Sequence, residues 1–339
     1  MVTFVASEQA SHMSGIAVTV DAAATTNEDN LEPARARGTG GIMTMKVGVV
    51  RLGAMGGNGA TSDRERLCLY SVRHEAEQVK SIAGAVGASS PAEVASNSDI
   101  ILAFLPYSRQ VEQVALGENG LVEGAHQGAV FVNMSTSSPS TTQKIAKVLA
   151  EKQIDVLGSP MNGGPHLALA GTLALVVGGK TDVLERCRPV LSSLGEIRHV
   201  GDVGAGETVK IINNLLLAIC TTANAEALVL GVKAGIDPDK LVDAIVNGVG
   251  SNHSMRKQYQ QHVLKGDFSE NDLFSVDFMR KDLALAFELG DELKVPLMFG
   301  GMADQMYQAV RAKGRAANYH PVVVTLLEEL AGVEVRSKT

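Results

Sequence analysis

Between Lys46 and Gly206 short apolar runs alternate with longer amphipathic segments, and this alternation constrains the fold more than any other feature of the chain. Apolar runs of about four to eight residues are typical of buried strands, and longer periodic segments are typical of helices. Alternation of the two predicts an α/β domain with a mostly parallel sheet and crossover helices. The runs predicted to be strands are 47–50, 67–72, 100–105, 129–132, 155–161, 173–177 and 197–200.

The pattern changes after Gly206, where turn residues become rare and long helical stretches follow. Residues 207–234 read as one helix in which only Gly231 is a possible interruption, and a helix of this length spans ~42 Å at about 1.5 Å per residue. We predict that this helix leaves the sheet domain and becomes the spine of an all-α domain. The predicted organisation is a tail at 1–45, a sheet domain at 46–206 and an all-α domain at 207–335.

The first 45 residues differ from the rest of the chain. A polar run at 25–30 is followed by glycine-rich residues 38–41, which are typical of a flexible linker. Several acidic residues precede the first arginine, Arg35, whereas a transit peptide is rich in arginine and poor in acids. We expect residues 1–45 to be a disordered or non-native tail outside the fold.

Composition and charge exclude several classes of protein. The chain is 45% hydrophobic with a net charge of −7, so it has apolar residues enough for a large core and no general basic surface for nucleic acid. No apolar run reaches the roughly 20 residues that a membrane-spanning helix needs. Cys68, Cys187 and Cys220 are too far apart for a disulfide framework or a cysteine zinc site, which favours a cytoplasmic protein.

A glycine motif follows the first predicted strand of the sheet domain. Gly53 and Gly56 match the second and third glycines of G-x-G-x-x-G, while Arg51 stands at the first position. This motif places a tight turn and a helix N-terminus against a pyrophosphate. From these residues alone, a dinucleotide site and a glycine turn without a ligand remain open.

A second motif lies at the start of the predicted long helix. Gly204-Ala205-Gly206 is followed by Lys210 and Asn214, which are four residues apart and share one helix face. A lysine in an otherwise apolar helix either extends its amine to water or serves a site. Burial would lower the pKa of Lys210 and make it a proton donor or acceptor near neutrality.

Taken in order, the motifs of this chain resemble the β-hydroxyacid dehydrogenase family. This group includes 3-hydroxyisobutyrate dehydrogenases, tartronate semialdehyde reductases and glyoxylate/succinic semialdehyde reductases, and is similar to 6-phosphogluconate dehydrogenase. The resemblance runs from about Lys46 to Ala331. It is carried by residues 47–56, 105–106, 133–139, 160–165, 171–173, 177–179 and 204–206, then Lys210, Asn214, Phe274 and residues 281–283.

The resemblance implies a Rossmann-type dinucleotide-binding domain, a long interdomain helix and an all-α C-terminal domain for substrate and dimerisation, with the active site in the cleft between domains. The implied reaction is hydride transfer between a nicotinamide cofactor and a small β-hydroxyacid or its semialdehyde, without a metal. Lys210 would be the general acid or base, and Asn214 would orient the substrate. The implied cofactor-binding residues are Gly53, Met55, Gly56, Arg73, Leu105, Pro106, Thr136 and Lys281. The implied substrate-binding residues are Ser135, Asn162, Gly163, Gly164, Phe274 and Asp282.

The end of the second predicted strand bears on the choice of cofactor. The run 67–72 ends without the acid that would hold a ribose 2′-hydroxyl, and Arg73 and His74 follow. An arginine there accommodates a 2′-phosphate, so the sequence favours NADP(H) over NAD(H). The alternative is that Arg73 is simply a solvated residue.

The chain departs from the family pattern at four places. Arg51 replaces the first glycine, Asn133 replaces an aspartate, Asn162 replaces a serine, and residues 57–66 lack the apolar stripe of a first helix. These departures motivate a second hypothesis, a catalytically weak or inactive binding or scaffold protein that retains the fold. Imine reduction on the same architecture is a third, but Lys210 argues for carbonyl chemistry.

We expect a small anionic substrate and further copies of the chain as partners, and neither nucleic acid nor a membrane. The apolar runs 215–219 and 322–327 are hard to cover within one chain of this size. Broad exposed apolar faces mark association sites. The sequence therefore predicts a homo-oligomer, at least a dimer.

Overall fold

The computed structural model of this chain describes residues 2–5, 17–20, 45–52, 67–69, 88, 90–163, 167, 171–269 and 274–337. The chain divides into two compact units, Met1–Glu207 and Thr208–Thr339. The first unit carries a large sheet and its helices, and the second is helical. The predicted domain boundary at 206/207 is one residue from this division.

The strands of the large sheet follow the predicted apolar runs, and two further strands, β1 and β2, precede them. Their bounds are β1 (Val2–Val5), β2 (Ala17–Val20), β3 (Val47–Leu52), β4 (Leu67–Leu69), β5 (Ile100–Phe104), β6 (Val130–Asn133), β7 (Asp155–Gly158), β8 (Met161–Asn162), β9 (Leu173–Gly178) and β10 (Gly195–Gly201). The helices are α1 (Pro91–Ser96), α2 (Ser108–Leu116), α3 (Leu121–Gly124), α4 (Pro139–Ala150) and α5 (Thr181–Leu191).

The large sheet has the order β10-β9-β7-β6-β5-β3-β4, and β8 pairs with β9. Strands β3, β5, β6 and β7 are joined by parallel pairing, as are β9 and β10. This confirms the predicted α/β fold with a mostly parallel sheet. Strand β4 differs, because it is short and pairs antiparallel with β3. An antiparallel neighbour needs no crossover helix. Residues 57–66, which lack the apolar stripe of a helix, belong to the connection between β3 and β4 and lie outside the described residues.

Both faces of this sheet are covered, because alternate residues of a strand point to opposite faces. In β5, Ile100 and Leu102 join a core cluster that includes Leu184 of α5. Ile101 and Ala103 join another cluster, which includes apolar side chains of α1, α2 and α4. Helices on both sides explain why the central strands are continuous apolar runs and show no polar alternation.

The stretch that we expected to be a tail outside the fold contains regular pairing. Strands β1 and β2 pair antiparallel in a two-stranded sheet of their own, with Val2 opposite Val20. The expected tail thus contains two paired segments, which form a sheet separate from the large one. The other residues of 1–44 lie outside the described residues.

The second unit is built on the predicted long helix, which the structure places at α6 (Ala205–Lys233), close to the expected 207–234. The helix after it is capped as its sequence indicates: the Asp237 side chain accepts from the amides of Asp239 and Lys240. The remaining elements are α7 (Pro238–Val246), a π-helix (Ser254–Tyr259), a 3₁₀ turn (Val263–Lys265), α8 (Val276–Leu293), α9 (Met298–Ala312), a 3₁₀ turn (His320–Val323) and α10 (Val324–Ala331).

Helix α6 is the one helix of the described residues that is long and apolar enough to cross a membrane, which corrects the sequence argument that no such stretch exists. Length and composition alone meet this test, and core helices of soluble proteins meet it too. The helix carries Lys210 and Asn214. Its partners in the second unit's core include Leu283 and Tyr307, which pack with Ala218.

The apolar run 322–327 is not exposed as we expected. Val322, Val323 and Val324 are buried within the second unit, so most of the run 322–327 is covered by its own chain. The run 215–219 is only partly covered, since Leu216 is exposed.

Candidate active site

The carboxyl ends of the central parallel strands bring together residues that the resemblance assigns to cofactor and substrate. Ser135, just beyond β6, accepts a hydrogen bond at Oγ from the Leu105 amide at 2.9 Å and donates to the Ala103 carbonyl at 3.2 Å. Pro106 and Thr136 follow in the same two loops. Ligands of open α/β sheets bind outside the carboxyl ends of the strands, so this edge fits a dinucleotide.

Asn133, where the family pattern has an aspartate, ends β6 in full burial. Its Nδ2 lies 2.9 Å from both Ser137 Oγ and Thr142 Oγ1 and 3.3 Å from Glu207 Oε1. Its Oδ1 accepts from the Ser135 amide at 3.1 Å. The substitution is therefore absorbed into a buried polar network.

Glu207 is the member of this network that sequence reasoning missed. It is fully buried, and Thr142 Oγ1 donates to its Oε1 at 2.7 Å. Burial raises the pKa of Glu207 to about 7, although hydrogen bonds from Thr142, from its own backbone amide and from Asn133 act in the opposite direction. The available signal was an acid directly after the 204–206 glycine motif, at the start of a long and largely apolar helix.

Glycines allow the start of α6 to lie directly against the strand ends. A Cβ on Gly206 would lie 2.5 Å from the Val176 carbonyl oxygen and 2.7 Å from that of Gly158. A Cβ on Gly158 would lie 2.2 Å from a carboxylate oxygen of Glu207. These contacts explain the glycines of this motif as packing residues.

The Asn162-Gly163 turn follows from the pairing of β8 with β9. Asn162 lies opposite Ala174, and Gly163 has φ +131, a backbone conformation that only glycine adopts without strain. A Cβ there would also lie 2.9 Å from a methyl carbon of Leu167. The turn geometry thus requires Gly163, whatever it binds.

The second unit brings four of the predicted residues together. The Asn214 amide donates to Asp282 Oδ2, and Lys281 Nζ lies 2.9 Å from Asp282 Oδ1. Asn214 is 3% exposed and Asp282 is 1% exposed. A buried carboxylate is thus held between an amide and an ammonium group, as a desolvated charge requires.

Lys210 is half-buried on the helix face of Asn214, and its amine interacts electrostatically with the charges on Asp282 and Lys281. Desolvation lowers the pKa of Lys210 to about 8; Asp282 acts in the opposite direction and Lys281 adds to the lowering. An amine that titrates near neutrality can exchange a proton with a hydroxyl or carbonyl.

Phe274 packs among aromatic rings of the second unit, 6.4 Å from Phe278 and 5.7 Å from His320, measured between ring centroids. The buried His320 ring also lies 3.1 Å from the Tyr307 hydroxyl at Nδ1, and burial lowers the pKa of His320 to about 3. These contacts hold the Phe274 ring just before the start of α8.

Several predicted site residues cannot be placed. Gly53, Met55, Gly56, Arg73 and Gly164 lie outside the described residues, as does His74. The backbone of Arg51 is described and continues β3, paired with Cys68 and Phe104. Within the described ranges, no group of three or more histidine, cysteine or acidic side chains could hold a metal ion.

A mostly parallel sheet with the expected cofactor loops at its carboxyl edge, followed by a helical unit that carries Lys210, is the arrangement that the family resemblance predicts for a nicotinamide-dependent oxidoreductase. Comparisons with known proteins agree. Residues 46–211 match the model of the NAD binding domain of 6-phosphogluconate dehydrogenase. Residues 204–327 match the model described as the NAD-binding domain of NADP-dependent 3-hydroxyisobutyrate dehydrogenase.

Individual relatives belong to the same class of enzyme. The chain is 40% identical over 296 residues to 2-(hydroxymethyl)glutarate dehydrogenase of Eubacterium barkeri, covering 86% of this chain and 98% of the relative. It is 32% identical to 2-hydroxy-3-oxopropionate reductase of Escherichia coli, over 85% of this chain and 98% of the relative. A crystal structure of 3-hydroxyisobutyrate dehydrogenase from Salmonella typhimurium matches with a TM-score of 0.64 at 28% identity, over 74% of this chain and 88% of that one.

The chain therefore belongs to the β-hydroxyacid dehydrogenase family. It is an oxidoreductase of hydroxyacids that uses a nicotinamide cofactor. Nothing in these comparisons favours the inactive scaffold hypothesis.

Proposed function

We propose that this protein transfers a hydride between NADP(H) and a small β-hydroxyacid or its semialdehyde, with Lys210 as the general acid and base. The observation that carries the proposal is the environment of Lys210, whose pKa is lowered to about 8 beside Asn214, Lys281 and Asp282. A group that titrates near the working pH serves both directions of a reversible reaction.

In the oxidative direction, neutral Lys210 takes the proton of the substrate hydroxyl, and the oxidised nicotinamide, when bound, would accept the hydride from the carbon that carries this hydroxyl. In reduction, the protonated amine returns that proton to the carbonyl oxygen. The bound nicotinamide supplies the hydride chemistry, and the protein orients the reactants and moves one proton. Asn214, which donates to Asp282, orients the substrate oxygen. The family resemblance assigns the substrate carboxylate to Ser135, Asn162 and Gly163.

Two comparisons support the choice of substrate and the choice of cofactor. The relative at 40% identity is named for 2-(hydroxymethyl)glutarate, an acid with a second carboxylate, so this compound belongs in the first substrate panel beside 3-hydroxyisobutyrate. The matching family model is described as NADP-dependent, which supports NADP(H). Arg73 and His74 lie outside the described residues, and because β4 pairs antiparallel with β3, the end of that strand adds nothing to this choice. The ratio of kcat/KM for NADP⁺ to that for NAD⁺ tests the cofactor preference.

The substitution Lys210→Ala tests the catalytic assignment. We expect kcat to fall by about 10² to 10⁴, the range for removal of a general acid or base, while cofactor affinity stays unchanged. The measurement is nicotinamide absorbance across the panel, with affinity measured by fluorescence titration. Lys240→Ala, which removes an exposed lysine of α7, is the control and should behave as the wild type.

Two outcomes would contradict the proposal. Activity of Lys210→Ala within about tenfold of the wild type would remove Lys210 as the proton carrier. Absence of wild-type turnover across the panel, together with no thermal stabilisation by either cofactor, would favour the scaffold hypothesis. A bound cofactor at about 100 times its Kd should add about 2.7 kcal/mol to the free energy of unfolding.

A further inference from the structure

Glu207 is a buried acid that the proposed reaction does not use. It lies in the first turn of α6, one helical turn before Lys210. Its carboxylate is enclosed by three elements: Thr142 from α4, Asn133 from β6, and Gly158 from β7, on whose Cα it packs. Burying a carboxylate is costly unless it is hydrogen-bonded, so this placement needs a reason.

A continuous chain of hydrogen bonds connects Glu207 to the loops at the carboxyl edge of the sheet. Glu207 Oε1 accepts from Asn133 Nδ2, Asn133 Oδ1 accepts from the Ser135 amide, and Ser135 Oγ accepts from the Leu105 amide. Ser135 and Leu105 are residues that the family resemblance assigns to substrate and cofactor. Glu207 itself is fully buried and three hydrogen bonds away from Leu105.

We propose that Glu207 is a positioning residue, whose buried carboxylate holds the Asn133 amide and thereby orients the Ser135 and Leu105 loops for the nicotinamide cofactor and the substrate acid. The proposal rests on the function proposed above. The Asn133 amide has a carbonyl end that accepts from the Ser135 backbone amide and an amino end that donates to Ser137, Thr142 and Glu207, so the groups at both ends decide which way it points. Glu207 is the charged acceptor of the three, and a side chain without an acceptor at 207 would leave this orientation to the Ser135 amide and to two hydroxyls that can also donate.

The charge state of Glu207 gives the proposal a measurable signature. Ionised, the carboxylate accepts strong, charge-assisted hydrogen bonds from Thr142 and Asn133, and on protonation these weaken. The groups that face it are the Thr142 hydroxyl, the Asn133 amide, Gly158 and the backbone amides at the start of α6; no ion pair found among the described residues includes Glu207. Because burial raises the pKa of Glu207 to about 7, cofactor binding should tighten as the pH rises through about 7.

The experiment is a double-mutant cycle that exchanges the carboxylate and the amide. Glu207→Gln keeps the shape but removes the charge, and Asn133→Asp places two acids together. The double variant, Asn133→Asp with Glu207→Gln, restores one carboxylate facing one amide. For each variant we would measure the cofactor Kd by nicotinamide fluorescence between pH 5.5 and 8.5, at a fixed ionic strength of about 0.15 M. We would also measure kcat and KM at pH 7.5. Glu226→Gln, at an exposed acid of the same helix, is the matched control.

The expected result is a split between binding and turnover. Glu207→Gln should raise the cofactor Kd and the substrate KM by about tenfold, change kcat less than threefold, and abolish the pH dependence of Kd near 7. The double variant should recover at least half of the loss in cofactor affinity, measured as the change in log Kd. Glu226→Gln should match the wild type. A purely structural role would lower the melting temperature without moving Kd or its pH dependence.

Two results would overturn the proposal: a Glu207→Gln protein with wild-type Kd, KM and pH dependence, or a double variant with no recovery. If Glu207→Gln does not fold, Thr142→Val tests the same carboxylate, because losing the Thr142 donor should move the pH dependence of Kd to higher pH; an unmoved profile would contradict the inference. The readout in Kd separates this inference from the proposed function. A wild type that binds cofactor but turns over no member of the panel refutes only the proposed reaction.

Discussion

Two side chains of opposite charge act on the amine of Lys210. Asp282 raises its pKa and Lys281 lowers it, and desolvation sets the net direction. The sequence indicated the pairing of Lys210 with Asn214 on one helix face, but not this balance. The charges come from α8, which is far from α6 along the chain.

Removing each charge should therefore shift the pH profile of Lys210 in opposite directions. In Asp282→Asn the pKa of Lys210 falls further, so the rise of oxidative kcat/KM with pH moves to lower pH. In Lys281→Met the pKa rises, and the same limb moves to higher pH. For the wild type, kcat/KM should change around pH 8, rising with pH for oxidation and falling with pH for reduction. Oxidation needs the neutral amine of Lys210, and reduction needs the protonated amine.

The check is kcat/KM against pH in both directions for the wild type and the two variants. Both variants also disturb the contacts of Asp282, so their absolute rates will fall. The sign of each shift does not depend on that fall. Shifts of the same sign in the two variants would show that Lys210 is not the group that titrates.

At the scale of elements, the start of α6 depends on how closely a helix can approach a sheet edge. Gly206 lies between the carbonyl oxygens of Val176 and Gly158, and a Cβ would lie 2.5 Å and 2.7 Å from them. Because both neighbours are backbone atoms, they cannot move aside as a flexible side chain could. The helix start, with Glu207, would have to shift.

Gly206→Ala should lower the free energy of unfolding by about 1 to 3 kcal/mol, the usual cost of overpacking. Gly301→Ala in α9 is the matched control: a Cβ there meets nothing within 4 Å. Replacing a mid-helix glycine with alanine should stabilise by about 0.5 to 1 kcal/mol. Chemical denaturation of both variants gives the comparison, and equal stability changes would contradict the packing interpretation.

At the scale of the whole molecule, apolar side chains remain on the surface of the second unit. Leu216 is 57% exposed and Leu230 72% on α6, and Phe299 is 72% and Met302 64% on α9. Phe299 and Met302 lie three residues apart, on one helix face. Concentrations of exposed apolar surface of this kind mark association sites.

We therefore expect the protein to be at least a dimer in solution. Light scattering at micromolar concentration should give at least twice the mass of one chain. The variant Phe299→Glu with Met302→Glu should lower that mass, since a charge on a buried contact is costly. A monomeric mass for the wild type would contradict the prediction.

The predictions that depended on local pattern were accurate. The apolar runs located the strands of the large sheet, and the composition after Gly206 located a helix within two residues at each end. Asp237 caps the next helix and Pro238 is its first residue, as local capping rules expect. These features follow from the periodicity of apolar residues and from capping, which operate over a few neighbouring residues.

The features that the sequence did not reveal depend on contacts between distant segments. Burial of 322–324 was missed because whether an apolar run is covered depends on how helices pack. Glu207 and Asn133 are 74 positions apart, and only the sheet and the helix start bring them within hydrogen-bonding distance. By itself, the sequence determined the family, the order of elements and the lysine that carries the proton in our proposal. The tertiary structure decided which polar groups are buried together, and burial is what sets the pKa values of Lys210 and Glu207.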